Sequence, residues 1–163
     1  TRRAEAVRLL RETMLRHRDA ARARYAAPFN AAVRERARVL FGPSVDFNYG
    51  DDLTITERTV DGVTVPLKEL SGGTKEQLAI LTRFAIADLV SGDGAGSPVP
   101  VVVDDALGAT DPERLARMNS LFSQVGKHSQ VLVLTCFPQR FDRVAAAETL
   151  SIDDLKTTSD RLG

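Results

Sequence analysis

Two short stretches constrain this chain more than anything else in it. Leu70-Ser71-Gly72-Gly73-Thr74-Lys75-Glu76-Gln77 opens an apolar helical run, and about thirty residues later Val101-Val102-Val103 ends in Asp104-Asp105. A serine and two glycines at a helix start present bare N–H groups, backed by the helix dipole, where a phosphate can sit. A short run of β-branched residues reads as a buried parallel strand. Two carboxylates at its end stand where Mg²⁺ and an attacking water would be handled. One absence matters as much. The phosphate-cradling loop G-x-x-x-x-G-K-[ST] does not occur: the only Gly-Lys step, Gly126-Lys127, leads into His128 with no glycine at the required offset. The pattern is half of a nucleotide machine.

The segments around these motifs have clear periods. Thr1 to about Ala27 contains no glycine or proline and is rich in Ala, Arg, Leu and Glu, which predicts one helix. Val7, Leu10, Met14, His17 and Ala21 follow the 3-4-3-4 spacing of a coiled-coil seam. His17 reads as a seam or surface residue, since its neighbourhood offers no further metal ligands. Pro28 permits a kink or a new helix, which Gly42-Pro43 stops after about Leu40. From Val45 to Leu67 the period is two, and Asp61-Gly62 between Val60 and Val63 predicts a tight hairpin. The next helix starts near Ser71–Thr74 and buries Leu78, Leu81, Phe84, Ala85 and Leu89. Ser91 to Pro98 reads as a surface loop. Asp111-Pro112-Glu113 is a helix start with an N-cap aspartate, and that helix runs to about Val125. Val131–Leu134 predicts a second buried strand, Pro138 a short helix around Phe141, and Thr149–Ile152 a last strand. Alternation of strand and helix from residue 99 onward predicts an α/β fold with parallel strands.

In order along the chain, Leu70-Ser71-Gly72-Gly73, Val101–Asp105 and Gly108-Ala109-Thr110-Asp111 resemble the signature, Walker B strand and D-loop of an ABC-type ATPase head. The branch they resemble is SMC, Rad50 and SbcC with the bacterial SMC-like ATPases, over nearly the whole chain. The resemblance implies a C-terminal lobe: an α/β fold with parallel strands flanked by helices, a β-hairpin section and an N-terminal coiled-coil-like helix. Residues 1–41 would be a helical stem ending a coiled-coil arm, and residues 42–163 the lobe itself.

The same resemblance assigns roles. Asp104 would hold Mg²⁺ through coordinated water. Asp105 would be catalytic, polarising the attacking water from a position where the family usually has glutamate; its side chain is one methylene shorter. Ser71, Gly72 and Gly73, followed by Thr74 and Lys75, would meet the γ-phosphate of ATP held by the other protomer. Thr74 departs from the Gln or Glu often found next in ABC signatures, whereas Lys75 keeps the basic residue that follows. Asp111 caps its helix, and its loop would cross the dimer interface. Thr135-Cys136-Phe137-Pro138 follows the second strand, where many ABC ATPases carry a histidine. Phe137 or its neighbour stands there instead, as in some SMC-like members, and His128 lies too early to replace it. Cys136 reads as a small core residue. Gln139 and Arg140 would be able to reach the site from the next turn.

The function implied is the C-terminal half of an SMC/Rad50-like head that binds and hydrolyses ATP in a head-to-head dimer, coupled to DNA binding, repair or defence. A Walker A-containing N-terminal lobe, in the same full-length protein or in another chain, would complete it. The isolated chain would be inactive. Two alternatives stand beside this: a non-catalytic ATP-dependent engagement or assembly module, kept open by Asp105 and Phe137, and a transporter ATPase subunit, opposed by the arginine-rich stem and the missing histidine.

Charge and cysteine usage bound the setting. The net charge is zero, yet residues 1–40 hold 11 arginines against 4 acids, leaving an acidic remainder. Such a stem either contacts nucleic acid or is a solvated helix whose arginines pair with acids on a partner helix. The lone Cys136 excludes a disulfide framework and fits a reducing compartment. No stretch approaches the roughly 20 apolar residues of a membrane span, so a cytoplasmic protein is expected, with nucleoid association compatible.

Overall fold

The computed structural model describes residues 2–92 and 98–154. It begins with one 40-residue helix, α1 (Arg2–Phe41), which runs through Pro28 without a break. A proline inside a helix removes one backbone hydrogen bond and costs about 3 kcal/mol. What holds the helix together past this point is packing. Phe29, Val33, Ala37 and Leu40 recur at helical spacing and are all buried, against α2 (Gly72–Gly92) and, further along, α3 (Pro112–Val125). Arg36 adds an ion pair to Asp88 of α2. The first half of α1 projects from this body, with Val7, Leu10 and Met14 of the expected seam each more than 60% exposed. His17 is likewise exposed.

Gly42 has φ of 92°, and the chain turns there into an antiparallel sheet of β1 (Asp46–Tyr49), β2 (Ile55–Val60) and β3 (Val63–Pro66), in that order. Asp61 and Gly62 both take positive φ, as the two-residue hairpin requires. Thr59 and Thr64 face each other across it with their hydroxyls 2.8 Å apart. Tyr49 meets Phe29 edge to face, which attaches this sheet to α1.

The second sheet is the parallel pair β4 (Val101–Asp104) and β5 (Val131–Leu134), joined through α3. Both strands were expected to be buried on both faces. Only one face is covered. Val101 and Val103 are buried, whereas Val102, Leu132 and Leu134 are nearly half exposed. The covered face looks onto α2 and α3, whose Phe84 and Phe122 stack edge to face at 5.6 Å. Among the described residues nothing lies on the other face.

Two further expectations change. Residues 149–151 form no strand, and a helical turn occupies residues 152–154. The glycine-rich loop falls mostly on residues 93–97, outside the described part, while Ser91 and Gly92 still belong to α2. Among the described residues no helix is long and apolar enough to cross a membrane.

Candidate functional site

The start of α2 is fixed by its own side chains. Leu70 is buried and extended after a 3-10 turn at Leu67–Glu69, and Ser71 Oγ then accepts from Thr74 N at 3.2 Å, the N-cap bond that starts the helix. Leu78, Ile80, Leu81, Phe84, Ala85 and Ala87 anchor the helix from below. Ser71 and Gly72 remain exposed, while Gly73 and Thr74 are buried. The N–H groups of Gly72 and Gly73 have no hydrogen-bond partner among the described residues. The Lys75 ammonium turns back to the carbonyl of Lys68, 2.8 Å away.

Asp104 and Asp105 are both exposed at the carboxyl end of β4. Asp105 has φ of 42°, a left-handed backbone that is uncommon for a residue with a Cβ. Its N–H still donates to Leu134 O at 2.9 Å, one step beyond the strand ladder. No cluster of three or more His, Cys, Asp or Glu suited to a metal occurs among the described residues.

The loop from residue 105 to Asp111 is knitted to the head of α2. Leu107, buried and at φ of 68°, donates its N–H to Glu76 Oε2 at 3.0 Å. Gln77, 1% exposed, donates through Nε2 to Thr110 Oγ1 at 3.3 Å. A Cβ built on Gly73 would stand 3.2 Å from Ala109 O, so a larger residue here would push the loop back by a few tenths of an ångström. From the far side Arg140 donates through Nη2 to Leu107 O at 2.7 Å and Thr110 O at 3.0 Å. Asp111 caps α3, accepting from Arg114 N at 3.0 Å.

Arg114 links three elements. Its Nη1 donates to Thr74 Oγ1 at 3.3 Å, its Nε lies 3.5 Å from Asp111, and its guanidinium sits over the ring of Phe41, the last residue of α1. Arg58 covers the same ring at 5.0 Å. Burial and the neighbouring Arg114 push the Arg58 guanidinium below its usual pKa. Arg117 donates to Leu40 O at 3.1 Å. These arginines line a cleft of about 370 Å³ at the root of α1.

The Ser71–Lys75 turn and the Gly108–Asp111 loop therefore meet through Gly73 and Ala109, and α3 reaches the same turn through Arg114 and Thr74. Phe137 is 54% exposed just after β5, and His128 lies before that strand. Cys136 is exposed, which corrects its reading as a core residue: the strand ends at Leu134, and the chain leaves the covered face before reaching it. Sequence reasoning missed Glu76, Gln77 and Arg114. Gln77 left one trace, since it occupies a position four residues before Leu81 on the buried stripe.

No family model matches the chain. It is 50% identical over 155 residues to the uncharacterized protein Rv1278 of Mycobacterium tuberculosis, and equally to Mb1309 of Mycobacterium bovis. Those alignments cover 95% of this chain but 17% of either relative, so the chain spans about a sixth of their length. It is also 34% identical over 111 residues to the uncharacterized protein YhaN of Bacillus subtilis, across 63% of this chain and 11% of that one. Among solved structures, one from work on ATP-driven dimerization and DNA-stimulated activation of SMC ATPases matches with a TM-score of 0.59 at 16% identity. It covers 88% of this chain and 96% of that one. The SMC head domain from Thermotoga maritima matches at 0.54 and 21% identity, over 72% of this chain and 40% of that one. The Smc head domain of Pyrococcus furiosus, solved bound to the C-terminal domain of ScpA, matches at 0.54 and 17%, over 83% and 38%.

Proposed function

We propose that this chain, having the fold of part of an SMC ATPase head, forms one wall of an ATP site that closes only when two heads meet. The observation supporting this most directly is the open first turn of α2. Ser71 and Gly72 are exposed on a helix whose body is firmly buried, and two backbone donors there are unused. Such a turn offers its hydroxyl and N–H groups to the γ-phosphate of ATP seated on a second head. Lys75 contributes background positive charge from its place at Lys68 O.

Asp104 and Asp105 suit the other chemistry. Mg²⁺ takes one or two carboxylates and fills its remaining positions with phosphate oxygens and water, so two exposed carboxylates without a third ligand fit it. Asp104 would hold that ion, which when bound neutralises charge on the phosphates. Asp105 orients the attacking water and accepts its proton. The loop ending at Asp111 lies along the same interface. A Walker A-bearing lobe supplies the missing phosphate cradle, and the exposed apolar face of Val102, Leu132 and Leu134 fits it as a seat. Residues 1–41 then act as the stem of an arm, residues 42–163 as the lobe, and nucleotide state is coupled to DNA through the basic stem.

The test uses the full-length protein, with ATP-dependent head association and phosphate release read separately. Asp105→Asn is expected to lower release by about 100-fold or more while heads still associate. Ser71→Arg is expected to abolish both. A second reading, engagement without hydrolysis, is favoured by the exposed Phe137 where many ABC ATPases carry a histidine. Unaltered release in Asp105→Asn would remove that residue from the mechanism.

A further inference from the structure

Hydroxyl groups have direction. A serine or threonine hydroxyl has one hydrogen to give and two lone pairs to fill, whereas an arginine can only donate. Ser71, Thr74 and Arg114 form a short series of this kind. Arg114 Nη1 lies 3.3 Å from Thr74 Oγ1, which lies 2.9 Å from Ser71 Oγ, and Ser71 Oγ also accepts from Thr74 N at 3.2 Å.

The direction of the series follows from its buried member. Thr74 is 4% exposed, so its hydroxyl hydrogen needs a partner within the protein. Arg114 cannot accept it. Ser71 Oγ is the acceptor within reach among the described residues. The hydrogen of Thr74 therefore points to Ser71, and Ser71 Oγ receives two bonds, one from the Thr74 hydroxyl and one from the Thr74 N–H. Its lone pairs are filled. The one thing left for the exposed Ser71 hydroxyl to do is donate outward.

We infer that Arg114 and Thr74 are positioning residues that set the Ser71 hydroxyl as an obligate hydrogen-bond donor toward an anionic oxygen at the head of α2. This rests on the reading that Ser71 meets a phosphate. It adds a reason for threonine at position 74, where a glutamine or glutamate could not make the same one-way series with Arg114. It also makes the site selective. An anion that only accepts is favoured, and a group that must donate to Ser71 finds no free lone pair. Because Arg114 also rests on Phe41 and Asp111, the polarity of the site is tied to the root of α1 and to the cap of α3.

The experiment is a double-mutant cycle in the full-length protein, with adenylyl imidodiphosphate as the probe and head association as the readout. Thr74→Val keeps the shape and removes the hydroxyl; it is expected to weaken association about five- to tenfold, the worth of one hydrogen bond. Thr74→Ser keeps the parental value. Arg114→Gln, which can accept the Thr74 hydrogen and so reverse the series, weakens association, and the donor-only Arg114→Lys restores most of it. In a Ser71→Ala background, Thr74→Val adds no further loss. An equal loss in that background makes Thr74 merely structural and overturns the inference. So does normal association in Thr74→Val alongside weakened association in Ser71→Ala. Should Thr74→Val fold poorly, the Arg114→Gln and Arg114→Lys pair decides by the same comparison. Normal association in Ser71→Ala instead overturns the phosphate contact itself, so the two failures are told apart.

Discussion

Adjacent glycines at the head of α2 meet different surroundings. A Cβ on Gly72 would contact nothing within 4 Å, whereas one on Gly73 would press on the backbone carbonyl of Ala109. Gly72→Ala should therefore keep or raise the unfolding free energy, by up to about 1 kcal/mol from helix propensity. It should nevertheless weaken ATP-dependent association, because the new methyl group would face the proposed phosphate position. Gly73→Ala should lower stability by about 1 kcal/mol, as overpacking outweighs the propensity gain. Urea unfolding and an association assay on both variants check the contrast. Tyr49 gives a pH-dependent prediction. Its phenol is pushed up to about 12, chiefly by burial, with Arg34 pulling it down and Asp46 pushing it up. Its hydroxyl oxygen has no hydrogen-bond partner. Between about pH 10 and about 12 the unfolded chain gives up this proton and the folded chain keeps it, so stability falls as pH rises through that window. Tyr49→Phe should remove that part of the fall, measured as unfolding free energy below and within the window. Ser71, Gly72, Asp104 and Asp105 were legible because each is a local signal. Arg114 was not, since it meets Thr74 only after α3 folds back across 40 residues.

At the scale of elements, the hairpin at Asp61-Gly62 and the cap at Asp111 follow from residues within four positions, and both form as the sequence dictates. Where local and tertiary preferences compete, the tertiary ones win. Pro28 permitted a break, yet the stripe from Phe29 to Leu40 keeps α1 in one piece. Thr149 to Ile152 had strand composition, but residues 149–151 pair with no strand and the chain turns helical at residue 152. The all-valine run predicted a strand correctly and its burial only by half, because burial depends on what covers each face. That uncovered face gives a prediction for the 163-residue chain on its own. Replacing Val102 and Leu132 by threonine should reduce binding of a hydrophobic dye while changing the unfolding free energy by less than about 0.5 kcal/mol. Dye fluorescence and urea titration on one sample read both quantities.

Taken whole, the molecule exposes 11122 Å² of surface, against roughly 7,900 Å² for a compact monomer of its mass. The projecting first half of α1 and the open parallel sheet both add to this surface. A chain with an exposed Ser71–Gly72 turn and no G-x-x-x-x-G-K-[ST] loop to cradle the α- and β-phosphates should not hold a nucleotide by itself. Calorimetry with micromolar ATP is therefore expected to give no binding heat for this chain alone, and measurable affinity there would contradict the shared site. The unbroken α1 has a mechanical consequence. Forty residues of helix are about 60 Å long, and their final turn is clasped by Arg58 and Arg114 on Phe41 and by Arg117 on Leu40. A stiff rod clasped at its base amplifies rotation. A tilt of about 5° where the exposed half leaves the body would sweep its tip, about 40 Å away, through roughly 3.5 Å, the width of a side chain.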